Sequence, residues 1–363
     1  HVIPILPRRI PVSESAPFIL FEAGKQTVTF PGFEAHQGSK TMVFNYSTAT
    51  ASEILKSLPL LMDYPYQSSE QIFNRYFGYA VGMLLSKEQS VSTLLNQWKT
   101  EQLNNKNTLQ SPLLQNESLK NITLKETPWV AEAEGETQLR ERLLELLNPA
   151  QVSNTMSQTI DKLSDMQLSN GAFPWFEGMY PSRYITQHIV AGFGWLSRIK
   201  TQTENSKADK IVKNSIKYLE NELNNDYKQW QKDTSKIKTV DYNTLHLLYA
   251  LSFHKSGNYN PSVQPFIESI KENWSQQQPY SQILSAIVLN RAKETAAAQQ
   301  IVHSLTENLV REGAHLAYTK SQGYHWYNNT LETQALLIQA INEIEPENIA
   351  SMALRNWLIM QKR

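Results

Sequence analysis

From about Ala51 to the end of the chain, apolar residues recur every third and fourth position, the period that puts them on one face of an α-helix. The segments carrying this period predict helices over 52–61, 69–86, 89–104, 137–147, 151–167, 184–200, 205–225, 240–255, 260–273, 279–290, 294–309, 331–343 and 347–361. Stretches of Gly, Pro, Asn and Ser between them read as turns. Two helix starts are marked by side chains able to cap: Ser69 ahead of Glu70 and Gln71, and Asn148 ahead of Pro149. The first 50 or so residues follow another pattern. Phe18–Phe33 and Thr41–Thr48 are rich in Val, Ile, Phe and Thr and are broken by Gly and Pro, which predicts a small element of roughly three or four β-strands. Such an element buries little by itself, so it is expected to pack on the helices or to be completed by further strands. The polar stretch 100–130 predicts a long surface loop with one short helix.

About a dozen helices in alternating pairs predict a mainly α fold of antiparallel hairpins closed into a ring, an α/α toroid of about six hairpins. An open solenoid would carry a sequence period of about 20–50 residues. No such period is found, which favours the ring. The expected division is a β element over 1–50 and a helical domain over 51–363.

Composition narrows the function. A chain of 363 residues with 40% hydrophobic content can bury a large core. Lys+Arg and Asp+Glu are equal at 34 each, whereas a nucleic-acid or anionic-membrane partner calls for a basic surplus. The chain has no cysteine, which removes disulfides, Cys-ligated zinc, cysteine nucleophiles and thioesters together. No segment approaches the ~20 apolar residues of a membrane-spanning helix. His1 is not followed by a signal-peptide pattern, and the proline-punctuated opening reads as a piece of a larger protein.

Leu58–Leu85 contains Pro65, Tyr66, Gln67, Ser68, Ser69, Glu70 and Gln71. This run resembles the thioester region of bacterial alpha-2-macroglobulins, in which a Pro-Tyr-Gly-Cys-x-Glu-Gln sequence opens a helix. In that family the Cys thiolate attacks the side-chain amide of the Gln, ammonia leaves, and a buried thioester results. Pro65, Tyr66, Glu70 and Gln71 match the pattern; Gln67 stands for the family's Gly and Ser68 for its Cys. Met166–Leu196, Trp326–Ile341, Glu126–Glu136 and Ile5–Phe18 are also similar to bacterial members, so the resemblance touches nearly the whole chain. It implies a thioester-like α/α toroid inserted into a CUB-type sandwich, with residues 1–50 as the strands before the insertion. It further implies a periplasmic or cell-envelope protein of bacterial defence, acting as an endopeptidase inhibitor. Its partners would be proteases, met through the full-length parent, and neighbouring macroglobulin-like domains of the same chain. The last helices of the ring are expected to lie beyond Arg363.

The serine at 68 decides the chemistry. A thiol ionises near pH 8.5 and its thiolate is strongly nucleophilic, whereas a hydroxyl needs an adjacent base. Gln67 also brings a side chain where the family's turn has glycine. The expected reading is therefore a non-enzymatic module with no cofactor, contributing to steric trapping without a thioester. The plainer role for Ser68 and Ser69 is to cap the helix near Glu70. The alternatives are an α/α-toroid carbohydrate-active enzyme and a scaffold. The enzyme would need two facing carboxylates about 5–10 Å apart, with Asp161, Asp165, Glu177, Asp241 and Glu332 as candidates. Trp175, Phe176 and Glu177, with His325 and Trp326, form a candidate binding loop, or else simple packing at helix ends. His188 has no histidine at the following turn and reads as a satisfied histidine rather than a metal ligand.

Overall fold

In a computed structural model of the chain, the described residues are 50–62, 67–104, 138–199, 205–255, 261–313, 315–320 and 329–361, with single positions 20, 25, 27 and 29. The expected β element of residues 1–50 lies almost wholly outside them, as do most of the polar loop, Pro65, Tyr66, His325 and Trp326. The described chain is mainly α-helical, as the periodicity predicts. It divides into two compact units, one of His1–Ala16, Thr27–Tyr66 and Gln71–Asp161, the other of Pro17–Gln26, Gln67–Glu70 and Lys162–Arg363.

The first unit contains α1 (Thr50–Leu55), α2 (Pro59–Met62), most of α3 (Ser69–Ser86), α4 (Gln89–Asn104), a helix over 138–146 and most of α5 (Pro149–Met166). The predicted helix 52–61 is split in two. Pro59 disfavours helical geometry at Leu58, and the chain turns there with Ser57 and Leu58 amides bonded to the Ile54 and Leu55 carbonyls. Phe73, Tyr76 and Trp98 fill the core of this unit. A Cβ at Gly82 would come within 2.9 Å of Leu147 and 3.2 Å of Met62, so the absence of a side chain there lets α3 approach its neighbours closely. Asn148 caps α5 as expected, its Oδ1 accepting from the Ala150 amide at 3.1 Å.

The second unit is a two-layered arc. Its helices are α6 (Arg183–Arg198), α7 (Ser206–Lys232), α8 (Tyr242–Lys255), α9 (Gln264–Asn273), α10 (Pro279–Arg291), α11 (Thr295–Glu307), α12 (Thr330–Ile344) and α13 (Ala350–Met360). Alternate helices pack side by side, α6 on α8, α8 on α10 and α10 on α12, forming an inner layer. The helices between them cover that layer from outside. The sequence dictates this sorting. In α10, Ile283, Leu284, Ala286, Ile287, Val288 and Leu289 are all buried, so the helix is apolar all round and must be enclosed. In α7 the buried residues Ala208, Ile211, Ser215, Leu219 and Leu223 make one stripe, which suits an outer helix. The α7 helix outruns its predicted end at 225 because Tyr227 and Trp230, in a polar stretch, pack edge-on against Phe266. At Gly194 a Cβ would lie 2.4 Å from the Phe253 Cβ, so α6 and α8 touch there.

Two short antiparallel hairpins were not foreseen. One pairs β1 (Phe173–Pro174) with β2 (Pro181–Ser182); the other pairs β3 (Val310–Glu312) with β4 (Leu316–Tyr318). The turn entering the first hairpin requires glycine at 171, with φ +89° and the Asn214 carbonyl oxygen 2.3 Å from where a Cβ would stand. The second is pinned by Gln334, whose Nε2 donates to the Ala317 and Leu354 carbonyls while its Oε1 accepts from the Thr319 amide.

Candidate functional site

Gln67 through Glu70 belong to the second unit, while Gln71 begins the share of the first. Gln67 is exposed, and its Oε1 accepts from Lys162 Nζ at 3.2 Å. Ser68 and Ser69 are buried, at 2% and 0% exposure. Ser69 opens α3, and its amide donates to the Trp175 carbonyl at 3.0 Å. Its hydroxyl finds no hydrogen-bond partner among the described residues, so the capping role expected of Ser69 is not filled. Burial raises the Glu70 carboxyl above its ordinary range. Gln71 is half-buried.

Trp175, Phe176 and Glu177 sit at the tip of the first hairpin. Trp175, Phe176, Met179 and Tyr180 all expose apolar surface there, Tyr180 at 92%. Trp175 also faces inward: its ring stacks on Tyr184 with centroids 6.2 Å apart. From Tyr184 a row of near-parallel rings continues into the arc. Tyr184 stacks on His246 at 5.8 Å and His246 on Tyr242 at 5.7 Å, with planes within 16° of one another. Tyr242 in turn meets Tyr280 at 6.1 Å.

This row exists because of where the inner helices begin. Tyr184, Tyr242, Tyr280 and Glu332 occupy the first turns of α6, α8, α10 and α12. The arc brings those turns together, and the Tyr280 phenol is pushed up first by burial and then by Tyr242, Glu332, Tyr249 and Tyr184. An ion-pair network fixes the start of α6 and α8 against α7. Arg183 grips Asp226 with both Nη atoms, and Thr244 Oγ1 donates to Asp226 and to Asp241, each at 2.9 Å. Asp241 also accepts from the Asn243 and Thr244 amides, so this candidate acid is a helix cap.

His246 lies at the centre. Gln187 Nε2 donates to the Asn243 carbonyl at 3.0 Å, which turns Gln187 Oε1 toward His246 Nδ1 at 3.2 Å. Nδ1 therefore carries the proton, and Nε2 is left with its lone pair. Burial, then His188 and Arg183, hold His246 down to about 3. His188 keeps some surface open, yet desolvation of its ring holds it down to about 4. Both imidazoles are neutral near neutral pH.

No protein-family model matches the chain, and no curated protein does. A solved structure is similar: native alpha-2-macroglobulin from Escherichia coli, spanning domain MG7 to the C-terminus. The identity is 12% and the TM-score 0.46, over 86% of this chain. The chain spans 38% of the length of that structure.

The five candidate carboxylates divide between the units, Asp161 in the first and Asp165, Glu177, Asp241 and Glu332 in the second. Glu332 has its carboxyl raised by burial alone, with no contribution from a second carboxylate, although much of the residue is open to solvent. Sequence reasoning missed His246, since a lone histidine in the apolar run of α8 reads as core. The recurrence of an aromatic or acidic residue in the first turn of every second helix was the signal available.

The opposite end of the inner layer is built differently. Glu343 receives Arg291 through Nε at 3.0 Å and Nη2 at 2.6 Å, and Arg198 at 2.8 Å. Gln339 donates to the same carboxylate, Tyr249 donates to Gln339, and Trp195 donates to Tyr249. Arg291 also donates to Ser252 and lies 3.9 Å from the Phe253 ring centroid. Burial would raise the Glu343 carboxyl, but the bonds and charge of Arg291, with Gln339 and Arg198, hold it below its ordinary range.

Proposed function

We propose that this chain is a non-enzymatic module of an alpha-2-macroglobulin-like protein of the bacterial envelope, contributing to protease inhibition by steric trapping without a covalent bond to the protease. The observation that carries the reading is Ser68. It stands at the start of α3, in a run that otherwise resembles a thioester motif, in a chain with no cysteine. A hydroxyl lacks the nucleophilicity to expel ammonia from Gln71 without an activating base. The motif is instead packed into the fold: both serines are buried, and the Ser69 amide is bonded to the Trp175 carbonyl.

The purified chain should have the mass of its plain sequence and should not react with methylamine. A mass deficit of one ammonia, abolished by Ser68→Ala, would overturn the reading. Trapping is tested on the full-length parent with several proteases. Retained cleavage of small substrates with loss of large ones supports it. Unchanged activity on both sizes would favour a scaffold, a role to which the exposed apolar tip formed by Trp175, Phe176, Met179 and Tyr180 is suited.

A further inference from the structure

We propose that the Lys236–Ile237 peptide bond is a cleavage site for a trypsin-like protease, one that takes a lysine before the scissile bond, and that the cut leaves the second unit assembled. The bond lies in the loop between α7 and α8. Residues Asp233 to Ile237 are exposed without a break, Ile237 at 62%, and Thr239 is exposed as well. The chain bends at Lys236 and Ile237. Among the described residues, neither of these two makes a hydrogen bond or ion pair through its main chain or side chain. A protease draws several residues of its substrate into an extended form. It therefore selects exposed loop tips whose backbone is not already bonded.

The bonds around it single out this lysine. Lys238, two residues on, is anchored twice. Its Nζ donates to the Trp230 carbonyl at 2.8 Å and lies 5.6 Å from the centroid of that ring, while its own carbonyl accepts from Ser269 Oγ at 2.7 Å. Lys232 is still within α7, whose last turn would have to unwind before a protease could hold it. Lys87 and Lys293 are exposed between helices, but the amide after each is bonded: Glu88 to the Leu85 carbonyl at 3.0 Å and Glu294 to the Leu289 carbonyl at 2.9 Å. In the step itself water adds across the peptide bond by way of the protease's own nucleophile, leaving a carboxylate on Lys236 and an amine on Ile237. The cut parts α7 from α8 in sequence but not in packing. Across it, Thr244 Oγ1 donates to Asp226 at 2.9 Å, Arg198 pairs with Glu343 at 2.8 Å, and Tyr227 and Trp230 pack edge-on against Phe266.

The test digests the whole chain with a small amount of trypsin, then labels the new amino termini and reads them by mass spectrometry. A terminus at Ile237 should appear while the protein is folded. Lys236→Gln should abolish that terminus and leave the other cuts in place. A terminus at Thr239 should be absent from the folded chain and appear in urea, where Lys238 is released. The pieces on either side of Lys236 should coelute in gel filtration with unchanged circular dichroism, and separate only in denaturant. No terminus at Ile237 before unfolding, its persistence in Lys236→Gln, a cut after Lys238 as early as the one after Lys236, or separation of the two pieces in native buffer would each overturn the proposal.

Discussion

The two ends of the inner helical layer use similar residue types toward opposite results. Where α6, α10 and α12 finish, every polar group described in the Arg198, Arg291, Glu343, Gln339, Tyr249 and Trp195 network has a partner. Where α6, α8 and α12 start, burial keeps His188 and His246 neutral and raises the Glu332 carboxyl. Saturated networks fix one geometry, since each group is held by the next. Burial without a charged partner instead favours the neutral form of each ionisable group. The contrast separates an end held by charge pairs from an end governed by burial.

The contrast breaks most directly at Glu343. Glu343→Ala strands Arg291, whose side chain is 4% exposed, and should cost about 3–5 kcal/mol in denaturant unfolding. Glu332→Ala, at the other end, should stay within about 1 kcal/mol of the parent. Equal losses would show that both ends are structural. Acid sharpens the comparison next. Burial holds His188 down to about 4 and His246 down to about 3, below the ordinary 6.5 of an exposed histidine, so the unfolded chain binds protons first. Stability is full above that unfolded value and should fall as pH drops below it, by up to about 1.4 kcal/mol per pH unit per histidine. Unfolding measured across that window should show a shallower slope in His246→Phe; an identical slope would remove His246 from the account. The smallest effect is expected at Ser69. Its hydroxyl is buried without a bond, so Ser69→Ala should be neutral or stabilising by up to about 1 kcal/mol, and a clear loss of stability would mean the hydroxyl is engaged after all.

Most of the helices were legible in the sequence. The bounds of α3 and α4 are those that the periodicity predicts. The split at Pro59 and the last turns of α7 were not, since one depends on the residue before a proline and the other on Tyr227 and Trp230 finding Phe266. The two hairpins are too short to show alternation, and their positions depend on Gly171 and Gln334, which act through tertiary bonds. The site divides in the same way. Ser68 and Trp175 stood out by residue type. His246 acquires its character from Gln187 on another helix, a relation that no local pattern in α8 carries.

The encasement of α10 has a kinetic consequence. With neighbours on every side, its amides can meet solvent only when the whole arc comes apart, so their deuterium exchange would clock global opening. The amides at the first hairpin's tip, near the exposed Tyr180, need only a local fluctuation to exchange. One molecule thus carries a slow clock and a fast one, and a ligand seated at the hairpin would slow the second without resetting the first.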